Sequence, residues 1–128
     1  TVAISQVDQG VYTWGWDEYG QLGHSGWGDL FQSGKNRAPR LVRDLVGKQV
    51  VQAACGSSHT LVLTSKGEVY SFGWGKDGQL GLGAGVKDRK TPTVIRALAE
   101  VTLIAACGSH SAAVLRNGSL FSWGNNTS

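Results

Sequence analysis

The stretch AACGSSHTLVLTSKGEVYSFGWGKDGQLGLG (Ala53 to Gly83) decides the fold, because the chain writes it almost three times. Its aromatic half, VYSFGWGKDGQLG (Val69 to Gly81), stands earlier as VYTWGWDEYGQLG (Val11 to Gly23), and a third copy opens as LFSWGNN at Leu120. Its first half returns as AACGSHSAAVL (Ala105 to Leu115). The glycine after the aromatic recurs at Gly15, Gly73 and Gly124, spaced 58 and then 51 residues. A period near fifty with short apolar runs in every copy points to radial or solenoid repetition. Arrays of that kind mostly build binding surfaces.

Each phrase has a local reading. In VYTWG, Val11 and Thr13 face one way and Tyr12 and Trp14 the other. Tyr70 and Phe72 repeat the second set, as do Phe121 and Trp123. Period-two alternation of β-branched and aromatic residues predicts a half-buried strand. HTLVLT and HSAAVL are nearly continuous small and apolar runs and predict more deeply buried strands. SKG and RNG between the two strand types are hairpin turns, with glycine where φ must be positive. VVQAACG and VTLIAACG predict a strand ahead of the buried one. PRLV and PTVI, opened by Pro39 and Pro92, predict a short outermost strand, where proline is tolerated. Four antiparallel strands in that order make one propeller blade, so the expected class is all-β.

The repeats resemble those of the regulator of chromosome condensation family. The Gly-x-x-His, aromatic-Gly and Gly-Gln-Leu-Gly elements occur in one order at one period over nearly the whole chain. The resemblance implies a seven-bladed β-propeller, of which this chain would be a partial, open array of about two and a half repeats. The remnants are 1–52, 53–104 and 105–128. TVAI at the start aligns with Thr60 to Leu63, so the chain is read as beginning inside a blade, with open edges through which it would self-associate. In the last copy Ser111 aligns with His59, and His110 falls one residue early.

Composition fits tight turns and no dense cationic surface. Nineteen of 128 residues are glycine, about twice the usual ~7%. The net charge is only +3, well short of a DNA-binding domain's concentrated basicity. Two cysteines without a disulfide-rich pattern suggest a reducing, intracellular setting, cytoplasm or nucleus. Cys55-x3-His59 and Cys107-x2-His110 superficially resemble zinc half-sites. The preferred reading is a small buried residue at one repeat position of successive blades, with neither metal nor Cys55–Cys107 disulfide. GLGAG and GWGKDG lack the Gly-Lys-Ser/Thr ending of a phosphate loop. No catalytic constellation and no cofactor is expected.

Trp14, Phe72 and Trp123, with Gly15, Gly73 and Gly124, are the expected structural core. Trp27 lies outside the repeat phrase, in a longer linker, and is read as a contact residue. The linkers His24 to Arg43 and Ala84 to Glu100 carry net charges of +3 and +2, and the remaining residues sum to −2. Partner binding is therefore expected at Trp27, Lys35, Arg37, Arg40, Lys87, Arg89 and Lys90. An acidic protein surface fits better than DNA, because so few charges give weak, salt-dependent phosphate binding; chromatin association has little support. Two function classes follow. One is a protein-interaction or regulatory scaffold. The other, implied by the resemblance, is nucleotide exchange on a Ran-type small GTPase. The family's plant ultraviolet receptor carries Gly-Trp-Arg-His-Thr motifs. Here Gly56-Ser57-Ser58-His59-Thr60 stands instead, with serine for the tryptophan, which disfavours light sensing.

Overall fold

A computed structural model describes residues 1–6, 10–16, 35–83 and 88–124. They form ten strands: β1 (Val2–Ile4), β2 (Val11–Trp16), β3 (Lys35–Leu41), β4 (Val50–Cys55), β5 (His59–Thr64), β6 (Val69–Gly73), β7 (Arg89–Val94), β8 (Val101–Cys107), β9 (His110–Leu115) and β10 (Leu120–Gly124). The one helical element among the described residues is a 3-10 turn at Arg43–Leu45. Three antiparallel sheets result, in the orders β1-β2-β3, β4-β5-β6-β7 and β10-β9-β8.

The hairpins close as the glycines demand. Gly67 (φ +80°) donates its N–H to the Thr64 carbonyl, and Thr64 N donates to the Glu68 carbonyl. Gly118 (φ +89°) repeats this with Leu115 and Ser119. Both are three-residue loops ending in a left-handed residue, a geometry in which any side chain is strained.

The outermost strands differ from the sequence reading. Pro39 and Pro92 do not open β3 and β7, which begin four and three residues earlier, at Lys35 and Arg89. Each proline sits in a bulge. Three residues (37–39) lie opposite Trp14, and three (90–92) lie opposite Phe72. A bulge interrupts the ladder, so the missing proline N–H costs no cross-strand bond there.

The sheets stack face to face, and the core lies in the two seams. Val62 and Phe72 pack against Val11, Val42, Leu45 and Val50. Leu61, Leu63 and Val69 pack against Ile95, Val101, Ile104 and Ala113. Alternate residues of β5 thus enter opposite seams, and every residue from His59 to Thr64 is buried. Burial of each Leu or Val side chain contributes about 1.5–3 kcal/mol. β6 was expected to be half-buried, yet Val69, Ser71, Phe72 and Gly73 are all buried, because the middle sheet is covered on both faces. In β10 Leu120, the equivalent of Val69, is 70% exposed and Phe121, the equivalent of the half-buried Tyr70, is 48% exposed, since only one neighbouring sheet lies beside them among the described residues.

Register corrects the alignment of the third copy. His59 faces Gly73 across β5 and β6, and His110 faces Gly124 across β9 and β10. His110, not Ser111, therefore occupies the place of His59, and Ser111 occupies that of Thr60. β8 is one residue longer than β4 and the following turn correspondingly shorter, so the two changes cancel. The cysteines are displaced by the same slip. Cys55 pairs with Thr60 whereas Cys107 pairs with His110. They do not share a position, and both are exposed free thiols.

Candidate partner-binding face

The turn before β5, the turn before β9, the segment after β6 and the start of β7 all emerge at one end of the sheets. Backbone bonds tie them together. Ser57 N donates to the Gly108 carbonyl (2.9 Å) and Trp74 N to the Ser58 carbonyl (2.8 Å). Gly75 N donates to Asp88 Oδ1 (3.0 Å), which anchors the approach to Arg89.

Beneath this surface lies a buried polar strut. His59 Nε2 and Ser111 Oγ are 2.8 Å apart across the seam. Ser111 Oγ donates to the Gln79 carbonyl (2.7 Å), which also accepts from Trp123 Nε1 (2.8 Å). Because the serine proton is committed to that carbonyl, the imidazole must donate from Nε2. His59 Nδ1 is left buried without a partner. Burial pushes the His59 pKa down to about 4. The ring is neutral at physiological pH. A serine whose proton points away from the histidine is not an activated nucleophile. The pair joins two sheets, and its chemistry is structural. Gly56 makes room for it: a Cβ there would run into the His59 ring and the Gly108 carbonyl.

Of the expected core residues, Phe72 is buried, whereas Trp14 and Trp123 are half-buried. Trp123 lies on Gly81, where an added Cβ would meet its ring. Gly73 and Gly124 hold φ of +114° and +120°, and Gly15 pairs with Asn36. Of the expected contact residues, Trp27 and Lys87 lie outside the described residues. Lys35, Arg37 and Arg40 lie along β3, where only the backbone is described. Arg89 and Lys90 are exposed at the start of β7, on the same end as Trp74. Trp74 follows Gly73 as Trp16 follows Gly15 in the sequence, but its polar neighbours were not legible there: Lys76 Nζ stands 4.9 Å from the Trp74 ring centroid, and the indole N–H donates to Asp77 Oδ2 (3.1 Å). Gln79 was also missed, although its recurrence in Gly-Gln-Leu-Gly was a usable signal.

Among the described residues no three His, Cys, Asp or Glu side chains converge. Cys55 is exposed as a residue, yet local desolvation holds its thiol above the ordinary pKa, opposed by the N-terminal ammonium and a Thr60 hydrogen bond. A protonated thiol is a poor ligand.

Residues 8–63 and 66–114 match the Regulator of chromosome condensation (RCC1) repeat, and a second RCC1 repeat description matches residues 50–79 and 101–128. The chain belongs to the RCC1 repeat family. Its three sheets are blades of a β-propeller. It is 42% identical over 126 residues to the ultraviolet-B receptor UVR8 of Arabidopsis thaliana, covering 97% of this chain and 27% of that protein. It is 45% identical over 120 residues to the human RCC1-like G exchanging factor-like protein, covering 91% of this chain and 25% of that one. Among solved structures it resembles Prp20p of Saccharomyces cerevisiae, described with its binding properties to Gsp1p and histones. The TM-score there is 0.75 at 26% identity, over 96% of this chain and 30% of that one. The chain thus spans between a quarter and a third of the length of these relatives. Among the described residues no helix is long and apolar enough to cross a membrane.

Proposed function

We propose that this RCC1-repeat chain acts as a protein-interaction module within the cell, using the end of the blades where Trp74, Arg89 and Lys90 emerge. The observation that carries the reading is the tying of the 56–58, 74–83 and 108–109 segments into one hydrogen-bonded platform. A platform fixed from below loses little freedom on binding, which favours affinity. The basic residues Lys35, Arg37, Arg40, Lys87, Arg89 and Lys90 steer an acidic protein partner, and Trp27 supplies an apolar anchor. Reversal of Lys35, Arg37, Lys87 and Lys90 to glutamate tests this. Association with a protein partner should slow and lose its salt dependence, and unchanged rates across a salt series would place the binding surface elsewhere.

The second reading is guanine-nucleotide exchange on a Ran-type small GTPase, favoured by the likeness to a protein named as G exchanging factor-like. Exchange needs no covalent chemistry here, since tighter binding of the nucleotide-free state expels the nucleotide. Release of a fluorescent GDP analogue from a panel of GTPases separates the two readings. Light sensing is disfavoured because Ser57 and Ser58 stand where the ultraviolet receptor's motif has tryptophan and arginine.

A further inference from the structure

On the rim of the middle blade, a groove of ≈ 430 Å³ runs between the 81–83 segment and β7 and ends at the turn beyond it. Its walls include Gly81, Leu82, Gly83 and Thr93, and its two ends carry Arg89 and Arg96. Both arginines are exposed. Among the described residues neither has an ion-pair or hydrogen-bond partner. The nearest acid in sequence, Asp88, is already engaged by Gly75 N. At the Gly83 position an added Cβ would meet nothing within 4 Å, so that wall is open to an approaching chain.

We propose that this groove binds an extended acidic segment of a protein partner, with one carboxylate at each arginine. The proposal rests on the interaction reading above and names the chemistry of the ligand. Arg89 lies opposite Gly73 and Val94 opposite Tyr70, three steps or about 10 Å along the sheet, and Arg96 lies two residues, up to about 7 Å, beyond, so the two carboxylates stand about five residues apart on an extended peptide. Each guanidinium offers a planar fork that matches a carboxylate with two hydrogen bonds. The small side chains and glycines between leave room for β-branched residues. Nucleic acid fits less well: the groove offers two widely spaced cations and no aromatic platform for base stacking.

The test is fluorescence anisotropy on the 128-residue chain with a labelled hexapeptide carrying glutamate at both ends and valine and threonine between. The same peptide ended by glutamines and a labelled single-stranded oligonucleotide are run beside it. The acidic peptide should bind, and its Kd should rise at least tenfold with Arg89→Glu plus Arg96→Glu and roughly threefold with each single change. The double variant should instead gain binding of a hexapeptide ended by lysines. Both arginines are exposed, so circular dichroism and the urea midpoint should not move; a shifted midpoint leaves the charge-swapped peptide as the deciding readout. Equal binding of the glutamine peptide, an unchanged Kd in the double variant, no gain for the lysine peptide, or tighter binding of the oligonucleotide each overturns the proposal. A Lys66→Glu, Arg116→Glu control, at exposed positions on the hairpin turns, should leave the peptide Kd within twofold. If the peptide fails while the linker reversals still slow partner association, the groove is wrong and the interaction reading stands.

Discussion

Gln52 bridges two blades through the backbone of Ile104. Its Nε2 donates to the Ile104 carbonyl (2.9 Å), and its Oε1 accepts from the Ile104 N–H (3.0 Å). The side-chain amide thus imitates a strand's hydrogen-bonding edge and joins β4 to β8 across the seam. In the third blade Leu103 holds the equivalent register, opposite Val114 as Gln52 is opposite Leu63, and it is exposed. Gln52→Leu should cost about 1–3 kcal/mol by stripping Ile104 of these partners, read as a lower urea midpoint at unchanged slope. A midpoint equal to that of the parent would show that water replaces the amide without loss.

Stability should fall in mild acid through His59. Its folded pKa of about 4 lies below the ordinary 6.5, so the unfolded chain takes up the proton first. The contribution is whole above about pH 6.5 and is lost as pH drops from 6.5 toward 4, to a limit of about 3 kcal/mol for a shift of this size. Urea unfolding at several pH values in that window should show a steeper decline in the parent than in His59→Gln. Parallel curves would mean the imidazole is solvated in the folded state.

Gly56 and Gly118 should fail differently when replaced by alanine. At Gly56 the added carbon collides with the His59 ring and the Gly108 carbonyl, and overpacking of this sort costs about 1–3 kcal/mol. At Gly118 nothing lies within 4 Å, but φ is +89°, so the cost is backbone strain of about 1 kcal/mol. Combining Gly56→Ala with His59→Ala should recover part of the first loss and none of the second. Additive effects in the first pair would remove the steric explanation.

Aromatics of β6 and β10 should differ in energetic weight with their burial. Phe72 is fully buried in the seam between the first two blades, and its truncation to alanine should cost about 3–5 kcal/mol. Phe121 is 48% exposed, and its truncation should cost under about 1 kcal/mol. Similar losses for both would mean that Phe121 is covered in solution, for example by a second copy of the chain.

That possibility has its own measurement. Leu120 and Phe121 expose apolar surface on the third blade, and such surface favours association. Sedimentation velocity should show a weight-average mass that rises with concentration, reduced in Leu120→Lys with Phe121→Lys. A single monomer boundary at all concentrations would refute this.

Much of this protein was written in its sequence. The recurring VYSFG and AACG phrases set strand type, order and antiparallel pairing, because alternation and glycine turns are local chemistry. The repeat also placed Gly67 and Gly118 at positive φ, where side chains are disfavoured; the positive φ of Gly73 and Gly124 came only with the structure. Local patterning did not reveal that β6 would be buried on both faces, since that depends on a sheet being stacked on each side. Nor could alignment tell that His110 rather than Ser111 replaces His59: an added residue in β8 and a missing one in the turn cancel only once the ladder is formed. The same three-dimensional register moved Pro39 and Pro92 into bulges and separated Cys55 from Cys107. The seam partners Gln52 with Ile104 and His59 with Ser111 lie 52 residues apart in the chain. Only stacking of neighbouring blades brings them within hydrogen-bonding distance, because neither residue has a local reason to seek the other.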